Sequence, residues 1–356
     1  MQKTVFIIGA GASAEVGLPT GIELKKQISE SLNICYNNIG TLINGDKIIA
    51  NTINIECKKS NTLPLIKKEM EEYEAIFKTI RKHLPLSPSI DNFIDSKRDD
   101  HRISLCGKIA IVKHILDAER KSLLFIENNI DGNLNYEAIE KTWYGKFFHL
   151  ISQSSDINEA KQKLSRSSYI IFNYDRCFEH FMYNGLKDFY KLNDEEAFDF
   201  IDTLNIIHPY GDVGELPFTR KNDTVCFGAN ITDPNQLLSL SNRIRTFTER
   251  YTNKINIIEN ISKLIHNSTK LIFLGFSFNP TNMELFKSKD PNTNFNFPYC
   301  FITTYMLSEY NSIDISESLA RLFNVSPIQL MSTPRIKYKS CTCTELFDEY
   351  SRGLYL

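Results

Sequence analysis

The chain has 356 residues, enough for one large or two medium domains with a core that needs no staples. Its 42% hydrophobic and 24% charged residues suit an ordinary globular protein, and a net charge of −2 excludes any general electrostatic pull toward nucleic acid or an anionic membrane. Eight cysteines are scattered without a C-x-x-C pair, no apolar run reaches the ~18 residues of a membrane helix, and no leader pattern is visible, so a reduced, cytoplasmic protein without a metal site is expected.

In chain order, the first element is Val5 to Ile8, a short apolar run suited to a strand buried on both faces. It ends in Gly9. Gly17-Leu18-Pro19 then breaks the following helical turn, because proline cannot continue it, and Thr20 is placed to cap a new helix from near Gly21. From residue 32 to 165 no strand is expected. Asn37 to Asn61 is polar and reads as loop, whereas Glu69 to His83 and Arg102 to Phe125 read as amphipathic helices, the second with Ile109, Val112 and Leu116 on one face. Trp143, Phe147, Phe148 and Leu150 suggest another helix, and the apolar surplus here predicts protein contacts. Strand-like runs resume at Tyr169 to Phe172, Leu204 to Ile207, Lys270 to Leu274, Tyr299 to Thr303 and Pro327 to Met331, with helical patterns between most of them. The alternation predicts an α/β fold, a Rossmann-like parallel sheet of about six strands with a large helical insertion. The expected division is 1–31 with 166–335 for the sheet, 32–165 for the insertion and 336–356 for a C-terminal helical tail.

Four stretches carry chemistry. Gly9, Gly11 and Ala14 match the G-x-G-x-x-G/A pattern after a strand, where glycines allow a tight turn and close backbone approach to a pyrophosphate at a helix N-terminus. The competing reading is a tight turn with no ligand. The early break at Pro19 and the lack of a second strand with its acidic residue depart from the dehydrogenase version, and no G-x-x-x-x-G-K-[ST] is present. "YIIFNYDRCFEHF" (169–181) sets Asn173 and Asp175 at a strand's C-terminal end, where α/β folds bind ligands, although Asp175 also suits a helix cap. "LNIIHPYGDVG" (204–214) ends a strand at His208, and "KLIFLGFSFNP" (270–280) runs a strand into Gly275, Ser277 and Asn279, which is no G-x-S-x-G elbow.

In this order, these stretches resemble the sirtuin family: "GAGAS...GLPTG" its glycine loop, Asn173-x-Asp175 its Asn-x-Asp motif, His208 with Gly211 its His-Gly segment, and Gly275-x-Ser277 its Gly-x-Ser loop. Pro209 and Tyr210 interrupt the His-Gly pair. "SIDNFID" (89–95) resembles a segment of bacterial sirtuin-like defence proteins, or else is a helix start capped by Ser89 or Asp91. The interval 208–275 holds one cysteine, Cys226, where the family's deacetylases carry four zinc ligands; it holds instead a basic helical stretch with Arg243, Arg245 and Arg250. The resemblance therefore implies a zinc-free NAD+ hydrolase of the kind found in bacterial anti-phage defence. It implies that Gly9, Ala10, Gly11, Ala12, Ser13, Pro19, Thr20, Gly275, Ser277 and Asn279 bind the NAD+ substrate, with Thr303 toward the adenine. Asn173 is expected to orient the water or the nicotinamide ribose, Asp175 to hold that loop or the nicotinamide end, and His208 to act as general base on a ribose hydroxyl or the water. A homo-oligomer or a second defence-system protein is expected to regulate it. The alternatives are a subunit that senses NAD or ADP-ribose without cleaving it, and an ADP-ribosyltransferase.

Overall fold

A computed structural model describes residues 3–37, 41–60, 62–127, 132–154, 156–219, 221, 223–247, 249, 255–288, 297–326 and 335–354. The chain divides into two compact units. The first comprises Met1–Gly17, Leu123–Pro209 and Thr252–Leu356, and the second Leu18–Ser122 and Tyr210–Tyr251. The expected boundaries differ from these. Residues 123–165 fall with the sheet, and 210–251 fall with the helices.

The first unit is built on one six-stranded, all-parallel sheet: β1 (Thr4–Ile8), β2 (Ser167–Ile171), β3 (Asn205–Ile207), β4 (Lys270–Leu274), β5 (Tyr299–Thr303) and β6 (Ile336–Lys339). In space the order is β3-β2-β1-β4-β5-β6. This is the doubly wound order of Rossmann-like α/β folds, whose crevice lies where the order reverses, here between β1 and β4. Every residue of β1 and β4 is buried, as their continuous Val, Ile, Leu and Phe runs require. The edge strands β3 and β6 are partly exposed. The tail thus contributes a strand as well as the Cys343–Leu354 helix. The Pro327 to Met331 run lies outside the described residues.

Trp143–Ser152 packs against the helices Cys177–Tyr190 and Cys343–Leu354. Phe6 and Tyr169, opposite one another in the β1–β2 register, stack at 5.3 Å, and Phe147 meets both edge-on. Trp143 and Phe147 are fully buried, so they belong to this core and leave no apolar surface for the protein contacts expected of them.

The second unit is mainly helical. Thr20 caps Gly21–Ser31 in a capping box with Glu23, and Ser89 caps Ile90–Ser96. His101–Lys121 buries Ile109, Val112 and Leu116, and also Ile111 and Ile115, so it is covered on more than one side. The polar stretch expected to be loop contains an antiparallel hairpin, Cys35–Tyr36 with Leu42–Asn44, and the helix Lys47–Cys57. Asp46 starts that helix by accepting from the N–H groups of Ile48 and Ile49, and Ile49 and Ile53 bury one face. Arg243 is no free cation for a ligand. It sits in a turn, with Arg245 in coil rather than in the expected helix, and pairs with Asp212 and Glu215. Arg250 lies outside the described residues.

Candidate functional site

Parallel pairing brings the C-terminal ends of β1, β2 and β3 to one sheet edge, and with them Gly9–Ser13, Asn173–Asp175 and His208. The Ala10–Ala14 helix begins directly after Gly9. Asn173 is buried, and its Nδ2 donates to the Gly9 carbonyl at 3.1 Å and to Ser13 Oγ at 2.9 Å. A carbonyl only accepts, which sets the amide's orientation. Ser13 Oγ donates in turn to Asp175 Oδ1 at 3.1 Å, and the same oxygen accepts from the Cys177 N–H at 3.2 Å. Asp175 therefore holds the first N–H of the Cys177–Tyr190 helix, whose N-cap position is Arg176, and also ties it to the opening loop. Tyr144 is also fully buried. Its phenol is held well above its usual range, first by burial and then by the charges of Cys177 and Asp175.

The opening glycines have a packing role. The N–H of Gly9 donates to Leu274 O and that of Gly11 to Gly275 O, at 2.9 and 3.1 Å. Both N–H groups are engaged, one by the last residue of β4 and one by the turn after it. A Cβ on Gly9 would lie 2.5 Å from Gly275 O, and one on Gly11 2.9 Å from Gly275 Cα. Neither has a positive φ, so close approach explains these glycines, while Gly275 itself sits at φ +56°. Thr303 Oγ1 at the end of β5 holds this turn by accepting from the Gly275 N–H at 2.8 Å.

Ser277 is exposed on the following loop, and Asn279 caps the short Pro280–Met283 helix through the Thr281 N–H. Ala10 is half-buried and Ala12 fully buried. Pro19 and Thr20 belong to the second unit, where Thr20 serves as a helix cap. Gly211, also in that unit, has φ +79° and lies against Arg243 O, so its glycine is demanded by a turn.

Comparison with family models, characterised proteins and solved structures finds no match to the chain.

His208 is mostly buried and bound on both sides. Its Nδ1 is 3.1 Å from the Asn173 carbonyl and its Nε2 is 2.5 Å from Glu179 Oε1. Glu179, in the first turn of the Cys177–Tyr190 helix, is the residue that sequence reading missed. In sequence it reads only as an acid in a first helical turn, and the fold is what sets it against His208. Among the described residues no group of three or more His, Cys, Asp or Glu side chains is arranged to hold a metal ion. Burial raises the thiols of Cys341, to about 11, and Cys343. No helix among the described residues is long and apolar enough to cross a membrane.

Proposed function

We propose that the protein hydrolyses NAD+ at the nicotinamide–ribose bond, releasing nicotinamide and ADP-ribose. The observation that carries this reading is the convergence of the opening loop, Asn173, Asp175 and the His208–Glu179 pair on one strand edge beside the β1/β4 switch point. A polar, acid–base-equipped edge next to a nucleotide-type loop suits cleavage of a dinucleotide. In this reading Asn173 orients the ribose or the attacking water, and Asp175 holds the loop. The order of the motifs further supports an NAD-depleting effector under the control of a partner or of self-assembly. The reading is tested by incubating the purified protein with NAD+ and following free nicotinamide. Release that disappears in Asn173→Ala supports it, and binding without release from the wild type overturns it.

One observation favours a second reading, a subunit that senses NAD or ADP-ribose without cleaving it. Both ring nitrogens of His208 are engaged by protein groups, and so are the Gly9 and Gly11 N–H groups. The same nicotinamide assay separates the two.

A further inference from the structure

The hydrogen bonds of His208 constrain where its protons lie. The Asn173 carbonyl can only accept, so Nδ1 carries a proton. Two lone pairs cannot face each other at 2.5 Å, so a second proton lies between Nε2 and Glu179 Oε1. The ring has no lone pair left to take a proton from a substrate. Glu179 does: its other oxygen, Oε2, is buried and has no hydrogen-bond partner. A carboxylate oxygen without a donor is costly, and because the Glu179 side chain is 16% exposed, a ligand can supply that donor.

Resting on the hydrolase reading, the geometry points to Glu179 as the catalytic carboxylate, with His208 as the cation that holds it. Water attacks the ribose carbon as the carbon–nitrogen bond breaks. The bonding pair leaves with nicotinamide, whose ring becomes neutral, and the water's proton passes to Glu179 and then to solvent. The negative charge of the pair thus resides on Glu179, where it can offset the developing ribosyl cation, as carboxylates serve in glycoside cleavage. The role expected of His208 passes to its partner.

The experiment compares nicotinamide release and NAD+ affinity for Glu179→Gln, Glu179→Asp and His208→Gln. Glu179→Gln is expected to lower the rate by about 10² to 10⁴ with affinity held within about tenfold, as for loss of a general base. Glu179→Asp, which keeps the charge, recovers part of the rate. His208→Gln keeps a hydrogen bond to Glu179 and is expected to lose about tenfold or less. A His208→Gln loss as deep as that of Glu179→Gln would mean that Glu179 only positions the ring. A faster Glu179→Gln would mean that the pair restrains the site. Either result overturns the proposal. A wild type that binds NAD+ and releases no nicotinamide ends the hydrolase reading and the catalytic role with it. Nitrogen NMR then judges the pair alone: both ring nitrogens protonated near neutral pH in the wild type, and one in Glu179→Gln, sustain it, whereas a singly protonated wild-type ring removes it.

Discussion

Gly275 packs so closely on Gly11 that a Cβ at 275 would stand 2.3 Å from the Gly11 carbonyl carbon and 2.1 Å from the Ala12 nitrogen. Two loops from strands far apart in sequence therefore meet backbone to backbone at the switch point. Their glycines are set by each other before any ligand is considered.

Gly275→Ala is accordingly expected to destabilise the protein by more than about 1 kcal/mol, because it combines a left-handed φ with contacts that no rotamer relieves. Gly21→Ala is the control. A Cβ at Gly21 would meet nothing within 4 Å, and the residue opens a helix, so stability should hold or rise by up to about 1 kcal/mol. Urea midpoints followed by circular dichroism check both. Equal losses would remove the packing explanation. The same geometry makes Gly11→Val a poor probe of nucleotide binding, since its side chain would displace the Gly275 turn.

Trp143, the chain's one tryptophan, donates its indole N–H to Ala12 O at 2.9 Å and is fully buried. Its backbone N–H donates to Glu15, which also accepts from Thr344. Trp143→Phe should cost about 1 to 3 kcal/mol, the loss expected when a buried carbonyl is left unsatisfied. Trp143→Ala should cost about 3 to 5 kcal/mol through the cavity. Wild-type fluorescence should be blue-shifted and should move to the red on unfolding. An emission already water-like in the native protein would contradict the burial.

His180, one residue beyond Glu179, has its imidazole pushed down to about 3, chiefly by burial, with the Arg176 charge adding to the effect. The unfolded ring takes a proton near pH 6.5, and the folded one does not until about pH 3. Below pH 6.5 the unfolded state therefore binds more protons, and stability falls as the pH falls toward 3, then levels. The Nε2–H to Leu124 O bond at 3.0 Å requires the neutral ring's proton on Nε2. Stability curves of the wild type and His180→Gln should converge as the pH is lowered from 7 to 4. Parallel curves would show that His180 titrates alike in both states.

Burial on both faces explains which strands were legible. Runs such as Val5 to Ile8 and Lys270 to Leu274 have no polar alternation, so they stand out in sequence. β6 does not, because an edge strand can be half polar: Ile336-Lys337-Tyr338-Lys339 is at most partly buried. The Lys47–Cys57 helix was hidden by its Ile, Thr and Asn residues, which are weak helix formers, and it is held by its cap and its buried face. Asn173, Asp175 and His208 were legible because strand ends announce themselves. Glu179 was not, because an acid in a first helical turn is ordinarily read as complementing the helix dipole. Only the meeting of two strand ends puts it against His208.

The Asn173–Ser13–Asp175 chain makes one more claim that can be measured. Asn173 and Ser13 are buried and directly bonded, and both act on the opening loop, Asn173 through Gly9 O and Ser13 through Asp175. Ser13→Ala removes Asp175's link to that loop but leaves its bond from the Cys177 N–H, so it should cost about 1 to 2 kcal/mol. Asn173→Ala removes two donated bonds at once and should cost about 2 to 3 kcal/mol. That sum also makes Asn173→Ala a change to the loop itself, so NAD+ affinity should fall along with any rate. The two losses share the Asn173–Ser13 bond, which can be lost only once. The double variant should therefore be more stable than simple addition predicts, by about 0.5 kcal/mol or more. Denaturant unfolding of the two single variants and the double closes the cycle. Losses that add within about 0.3 kcal/mol would mean that the two side chains support the loop independently, and that the cluster is not one network.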